Sequence, residues 1–258
     1  MRKLLAIMLA LTLTTTLLAC TSGGQQIQAI QERGILRVGV KVDVPNFGYL
    51  NPETKEMEGM EIDLARAIAY AILGDETAVK FVGLTAETRG PLLDNGEVDI
   101  VIATFTITEE RKELFNFTEP YYVDQIGFLV RKDSGLTRID DMDGRTIGVA
   151  QAGTGQQALL DECESRGIEV NCIAFASYPE IKAALLDGQV DAFVVDKSIL
   201  SGYVDSQTMV IDEGFKPQNY GIAIALYNNN LARYLDSLLK QMKTDGTIDT
   251  LFEKWGVG

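Results

Sequence analysis

The residues of this sequence that could do chemistry stand just beyond the ends of three short apolar runs. In chain order they are Thr104, Thr106, Arg111, Thr154, Gly155 and Asp196. The guanidinium of an arginine and the free N–H groups of a helix N-terminus both bind a carboxylate. The carboxylate of an aspartate binds an ammonium group. The pattern therefore predicts a site for the two opposite charges of an α-amino acid.

Each of these residues also has an ordinary structural interpretation. Arg111 fits a solvated charge on a helix, and the turn 153–155 fits a common loop between a strand and a helix. Asp196 fits the N-cap of a helix that begins at Lys197. The chain contains no GxGxxG, GxxxxGK or CxxC motif, so nothing in it predicts a nucleotide, another cofactor or a metal.

The composition restricts the classes of function. The 258 residues include no histidine, which removes Ser-His-Asp and Cys-His nucleophile systems and imidazole metal ligands. The formal net charge of −14 is contrary to the positive surface that nucleic-acid binding requires. A hydrophobic fraction of 46% supplies a buried core. These features favour a binding protein over an enzyme.

The N-terminus predicts export and a lipid anchor. Residues 1–19 combine two basic residues with an uncharged run, as signal peptides do. The end of this run with the next residue, Leu17-Leu18-Ala19-Cys20, resembles the lipobox of bacterial lipoproteins, which predicts a lipidated Cys20, carrying palmitate, and a flexible tether over 20–29. We therefore expect an extracytoplasmic, membrane-anchored protein of the cell envelope. The alternative is cleavage of an ordinary secretory signal peptide, in which case Cys20 has no special role.

Export also makes the other two cysteines informative. Cys163 and Cys172 are nine residues apart, and in an oxidising compartment such a pair forms a disulfide. The spacing predicts a Cys163–Cys172 disulfide. Two buried free thiols are the alternative.

The candidate residues must be positioned by short strands and helices that alternate along the chain. This alternation begins near residue 35 and begins again near residue 146. Strands are predicted at 35–40, 79–84, 99–103, 146–150, 172–176, 191–195 and 221–226, with helices at 62–73, 88–95, 155–166 and 179–186. This predicts an α/β fold of two lobes. We expect lobe 1 over 30–127 plus 222–258 and lobe 2 over 128–221, with extended crossings near 126–131 and 218–222.

Several segments are similar to those of the family 3 solute-binding proteins of polar-amino-acid ABC importers. They include Gly59-Met60-Glu61-Ile62-Asp63-Leu64-Ala65, the segment 103–111 and Phe117-Thr118-Glu119-Pro120-Tyr121-Tyr122. Segments 88–96, 190–200 and 217–221 resemble the aspartate/glutamate-binding members most. The resemblance implies a periplasmic-binding-protein-like fold of class II, in which each lobe is a mixed, mostly parallel sheet flanked by helices. It also implies two hinge strands, a separate membrane permease and ATPase as partners, and a monomer.

The resemblance further implies a role for each candidate residue. Arg111 takes the ligand α-carboxylate, aided by the Thr106 backbone and the Thr154–Gly155 turn. Asp196 takes the α-ammonium group, together with Thr104 or Thr106. In the acidic-ligand members, two cations bind the side-chain carboxylate of the ligand. The resemblance places these cations at Lys41 and Arg89, and it implies that Tyr178 and Tyr220 line the site.

Charge counting supports an acidic ligand. Lys41, Arg89 and Arg111 against Asp196 give a site of +2, and glutamate or aspartate adds −1. Glutamine, the alternative ligand, would leave buried cations poorly matched. A second alternative is a prephenate or arogenate dehydratase on the same fold, which requires a general acid. Four acids are available, Glu109, Glu110, Glu119 and Asp124, but none stands out by spacing, so we expect no enzyme.

Overall fold

A computed structural model of the chain describes residues 25–257. The predicted signal peptide and the predicted lipid site at Cys20 lie outside the described residues. The helices are α1 (Gln25–Arg33), α2 (Met60–Leu73), α3 (Arg89–Asp94), α4 (Glu109–Lys112), α5 (Gly155–Arg166), α6 (Tyr178–Leu186), α7 (Lys197–Ser201), α8 (Asn229–Thr244) and α9 (Thr247–Trp255). The strands are β1 (Leu36–Val40), β2 (Asp43–Val44), β3 (Gly48–Leu50), β4 (Met57–Glu58), β5 (Val79–Gly83), β6 (Ile100–Ile102), β7 (Phe115–Phe117), β8 (Tyr122–Arg131), β9 (Thr146–Ala150), β10 (Asn171–Phe175), β11 (Ala192–Asp196), β12 (Thr208–Val210), β13 (Phe215–Tyr220) and β14 (Ala223–Ala225).

Lobe 1 is built on a five-stranded sheet of order β5-β1-β6-β14-β7. The strands β1, β5 and β6 are parallel, and β14 is antiparallel to β6 and β7. Strand β6 is fully buried, as a central strand covered on both faces must be. Helix α2 packs its apolar face on the sheet, with Ile62, Ala65, Ile68, Ala69 and Ile72 in the core.

Lobe 2 is built on a six-stranded sheet of order β10-β9-β11-β8-β12, with β13 paired to β8. The strands β9, β10 and β11 are parallel, and β8 is antiparallel to its neighbours. The carboxyl ends of parallel strands in the two sheets carry the residues singled out from the sequence. The two sheets with their helices confirm the predicted two-lobed α/β fold.

Two long strands connect the lobes and pair with each other. Strand β8 leads from lobe 1 into lobe 2, and β13 leads back toward β14 of lobe 1. They are antiparallel, with Tyr122 opposite Tyr220 and Ile126 opposite Phe215. The predicted lobe boundaries at 127 and 221 fall inside β8 and just after β13.

Two expectations about the described residues are not met. The flexible tether was predicted through residue 29, but α1 begins at Gln25 because Ile30 is fully buried in the core and Arg33 pairs with Asp99. Cys163 and Cys172 are free thiols, so the predicted disulfide is absent. Burial raises the pKa of both thiols, which disfavours the thiolate that disulfide exchange requires.

Within residues 25–257, no helix has the length and apolar character needed to cross a membrane. The same part of the chain contains no group of three or more cysteine or acidic side chains placed to hold a metal ion.

Candidate functional site

The candidate site is a small enclosed pocket where the two lobes meet. Lobe 1 contributes Arg89, Thr104 and Thr106 to its wall, and lobe 2 contributes Thr154, Gly155, Tyr178 and Asp196. A larger groove lies at the mouth of the cleft, where Arg111 faces the segment 152–154. The structure thus brings together, from both sheets, the residues that the sequence placed at separate strand ends.

Arg111 is held in place from both lobes. Its Nη1 donates to the Thr106 carbonyl oxygen (2.7 Å), and its Nη2 donates to the Ala152 carbonyl oxygen of lobe 2 (3.3 Å). The guanidinium lies 4.7 Å from the centre of the Phe105 ring. Burial, and secondly the nearby charge of Arg89, lower the pKa of Arg111 to about 9. Arg111 is therefore a half-buried cation that a carboxylate would stabilise, and not a solvated helix charge.

Arg89 is the first residue of α3 and points into the protein. Its side chain is nearly buried, with Nη1 donating to the Ala103 carbonyl oxygen (3.2 Å) and the guanidinium 3.8 Å from the centre of the Phe105 ring. Among the described residues, nothing accepts a hydrogen bond from its Nε. Burial lowers the pKa of Arg89. A buried guanidinium with an unused donor is suited to an anion.

Lys41 follows β1 and is 3% exposed. Its Nζ lies 2.9 Å from Oδ1 of Asp43 and 4.5 Å from the centre of the Tyr178 ring, which belongs to lobe 2. Burial lowers the pKa of Lys41, and Asp43 opposes that shift. Asp43 was not predicted from the sequence, and it partly neutralises a cation that the charge count had treated as unpaired.

Asp196 ends β11 and is 4% exposed. It accepts a hydrogen bond from the Tyr220 hydroxyl and makes no capping hydrogen bond to α7, so its carboxylate is not an N-cap. Burial raises the pKa of Asp196 to about 7. A ligand ammonium group beside this carboxylate would stabilise its charged form.

The remaining predicted residues take different positions. The Thr154 hydroxyl donates to Oε1 of Gln218 (2.8 Å), and it accepts no capping hydrogen bond from the first turn of α5. Tyr178 lines the pocket as predicted. Tyr220, predicted as lining, is fully buried behind Asp196 and stacks on Tyr122 with ring centres 5.6 Å apart. Its contact with the site is the hydrogen bond to Asp196.

One buried acid of the site was missed. Glu61 lies in the first turn of α2, and its Oε1 accepts hydrogen bonds from the Thr104 N–H (2.6 Å) and the Tyr121 hydroxyl. The signal was present in the sequence, because Glu61 precedes Leu64, Ala65 and Ile68 by three, four and seven residues. It therefore shares the apolar face of the helix. A charged residue on the apolar face of a helix indicates a buried side chain with specific partners.

The four acids named from the sequence as candidates for a general acid do not line the pocket. Glu109 and Glu110 are exposed at the mouth of the cleft, and Glu119 is exposed near Lys240. The carboxylate of Asp124 accepts from the backbone and hydroxyl of Ser198. The chemistry that the pocket offers is recognition by paired charges.

Three known proteins are similar to this chain over most of its length. The ABC transporter glutamine-binding protein GlnH of Bacillus subtilis (strain 168) is 35% identical over 232 residues, covering 89% of this chain and 84% of the relative. The glutamate-binding protein GluB of Corynebacterium glutamicum is 30% identical over 252 residues, covering 92% and 84%. The solved structure of AncCDT-1, an ancestral amino acid-binding protein and precursor of cyclohexadienyl dehydratase, matches with a TM-score of 0.80. It is 31% identical and covers 89% of this chain and 98% of its own.

A family model described as bacterial extracellular solute-binding proteins, family 3, matches residues 36–258. This match spans both lobes and every candidate residue of the pocket, and it confirms the resemblance stated from the motifs. The chain therefore belongs to the bacterial extracellular solute-binding proteins, family 3.

Proposed function

We propose that this protein captures L-glutamate or L-aspartate between its lobes and delivers it to the permease and ATPase of an ABC importer. The observation that carries the proposal is a group of three cations where the lobes meet: Arg89 lines the pocket, Arg111 lines the groove at its mouth, and Lys41 lies against the ring of Tyr178 in the pocket wall. Two of them are almost completely buried. An uncharged amino acid side chain leaves such cations without an anion, which is costly in a protein interior.

The charge balance of the pocket favours a ligand of charge −1. In the ligand-bound state, where the ligand ammonium group favours the ionised form of Asp196 and Glu61 is counted as protonated, Asp43 and Asp196 offset two of the three cations and leave a net charge of +1. This corrects the count of +2 made from the sequence. Glutamate and aspartate carry two carboxylates and one ammonium group, so either one brings the pocket to neutrality.

The roles of the individual residues follow from their positions. Arg111 at the mouth of the cleft binds the α-carboxylate, and Asp196 binds the α-ammonium group. Arg89 in the pocket wall and Lys41 beside the Tyr178 ring bind the side-chain carboxylate, with Tyr178 against the ligand stem. Because Asp196 belongs to lobe 2 and Arg111 to lobe 1, only the closed arrangement serves both ends of the ligand. The ligand therefore stabilises closure by its greater affinity for that state.

Glutamine is a second candidate, favoured by one specific observation. The Lys41–Asp43 ion pair neutralises one of the two cations assigned to the side-chain carboxylate without any ligand. The glutamine-binding relative described above points the same way. The two candidates differ in whether the pocket requires an anion.

Calorimetric titration of the purified protein with L-glutamate, L-aspartate, L-glutamine and L-arginine tests the proposal. We expect the acidic amino acids to bind tightly and glutamine to bind at least about tenfold more weakly, since unmatched buried charge costs more than 1.4 kcal/mol. Tight binding of glutamine without binding of either acidic amino acid would reject the acidic ligand. Release of phenylpyruvate from prephenate would reject a function limited to binding.

The remaining parts of the proposal concern attachment and assembly. We propose that Cys20 carries the lipid anchor, and that the monomer presents its closed lobes to the permease. Mass spectrometry of the protein purified from membranes tests the anchor. A Cys20→Ala variant that stays in the membrane fraction would contradict it.

A further inference from the structure

Glu61 is a fully buried carboxyl group whose two oxygens have unequal surroundings. Oε1 accepts hydrogen bonds from the Thr104 N–H and the Tyr121 hydroxyl. Oε2 is equally buried and has no hydrogen-bond partner among the described residues. A carboxylate pays a large desolvation penalty when one oxygen has no donor, whereas the neutral acid pays much less.

The hydrogen bonds of Glu61 fix a segment that lines the pocket. Thr104 has φ of 44°, a left-handed conformation that is unfavourable for a β-branched residue. The bond from its N–H to Glu61 helps to hold it there. Helix α2 can begin directly before Glu61 only because Gly59 precedes it, since a Cβ on Gly59 would lie 2.0 Å from the Phe47 carbonyl oxygen.

The charged groups that face Glu61 are Lys41, at the end of β1, and Arg89, on α3. On α2 itself, Asp63 is engaged elsewhere, with Arg66 and Lys254. Burial raises the pKa of Glu61, whereas the hydrogen bonds from Tyr121 and Thr104 and the charges of the two cations lower it. Burial dominates, and the pKa lies at about 7. An anionic ligand bound to Lys41 and Arg89 would offset the two positive charges that favour the ionised form of Glu61.

We propose that Glu61 is a positioning residue that holds a proton in the ligand-bound pocket, so that capture of an acidic amino acid takes up a proton at Oε2. The inference rests on the proposed function, because a neutral ligand would bring no second negative charge. The proton comes from the buffer, and no covalent bond to the ligand forms. In the neutral acid, Oε1 still accepts hydrogen bonds from Thr104 and Tyr121, so the pocket-lining segment at Thr104 keeps its conformation.

The sign of the pH dependence follows from linkage. The ligand anion raises the pKa of Glu61 above its value in the free protein, so affinity for glutamate is greatest below that value. Affinity is lost as pH rises through it, at up to about tenfold per pH unit. Asp196 acts in the opposite sense, because the ligand ammonium group lowers its pKa and affinity falls as pH drops below about 7. The wild type should therefore show a maximum near neutral pH.

The test compares the wild type with Glu61→Gln by calorimetry from about pH 6 to about pH 8.5, a range that spans the pKa values of about 7 for both Glu61 and Asp196. Glutamine at position 61 keeps an oxygen for Thr104 and Tyr121 and cannot ionise. We expect glutamate to bind this variant with no loss of affinity on the alkaline side, while the acidic side is unchanged. Titrations in buffers of different ionisation enthalpy should show proton uptake by the wild type near pH 7.5 that is absent from the variant.

Glu58→Gln is the matched control, because Glu58 lies on β4 and bonds to Asn51 away from the pocket. Its pH profile should equal that of the wild type. An alkaline loss that persists in Glu61→Gln, with an unchanged unfolding temperature, would overturn the role of Glu61. Absence of glutamate binding at every pH would instead reject the proposed function, and this inference with it.

Discussion

Replacing Lys41 by methionine tests the assignment of the ligand side chain. Methionine keeps an unbranched apolar stem and removes only the ammonium group. Lys41 is 3% exposed, and its Nζ lies 2.9 Å from Asp43. The substitution removes a cation from the pocket and leaves the Asp43 carboxylate without its partner, so the pocket becomes less favourable for any anion.

The size of the effect can be estimated from this geometry. Removing one member of a buried charge pair at a binding site costs about 2–5 kcal/mol, or about 30-fold to several-thousand-fold in affinity. We expect Lys41→Met to weaken glutamate binding within this range. Glutamine has no side-chain carboxylate that could pair with Lys41. Its affinity should therefore fall by less than about tenfold, which corresponds to the loss of one ordinary hydrogen bond. The ratio of the two affinities is the quantity that reports the role of Lys41.

Calorimetry with both ligands measures this ratio, and two further variants make it decisive. Lys41→Met with Asp43→Asn removes both charges of the pair and should recover part of the glutamate affinity. Lys80→Met, at an exposed position of β5, is the control for loss of a lysine and should change neither affinity. Equal weakening of glutamate and glutamine, with an unchanged unfolding temperature, would refute a contact between Lys41 and the side-chain carboxylate.

Three other predictions concern the opposite end of the ligand, the closed state and the thiols. Asp196→Asn should weaken every amino acid and abolish the loss of affinity below about pH 7, because that loss is protonation of Asp196; calorimetry at two pH values measures both. Tyr203→Phe removes the hydrogen bond from Tyr203 to the Asp43 carbonyl oxygen and should weaken glutamate and glutamine alike by about 2- to 12-fold, seen as faster dissociation in stopped flow. Cys163 and Cys172 should both be alkylated after unfolding without reductant, and an unmodified pair linked in one peptide would contradict the free thiols.

The helices and strands were predictable where the apolar pattern of a segment agrees with the residues that mark its end. Strand β9 and helix α5 have the bounds that were predicted, because an apolar run ends before a turn and the helix ends at Gly167, which has φ of 70°. The strands β2, β3 and β4 were not predicted. They are two or three residues long, too short for any periodicity, and they exist because β3 pairs with both of the others.

The pocket was predictable in part for the same reason. Arg111 and Asp196 follow apolar runs, and ligands bind beyond the carboxyl ends of such strands. Asp43 and Tyr203 gave no such signal, because their roles depend on contacts formed only when the chain folds. Tyr203 meets Asp43 across 160 positions of sequence. The helical extension of the described chain back to Gln25 likewise depends on a distant partner, since Arg33 pairs with Asp99.

The contacts between the lobes fall into two groups with opposite effects on closure. Tyr203 bonds to Asp43, and Gly202 packs so closely on Pro45 that a Cβ there would lie 2.8 Å from the ring. These contacts involve no ligand atoms and stabilise closure whichever amino acid is bound. Arg89 and Asp196 are buried in this closed arrangement, and a buried charge without a full set of partners destabilises it. Affinity common to all ligands therefore depends on the first group, whereas selectivity depends on how well a ligand neutralises the second. Substitutions in the two groups should consequently change different measurements, the dissociation rate in one case and the ratio of affinities in the other.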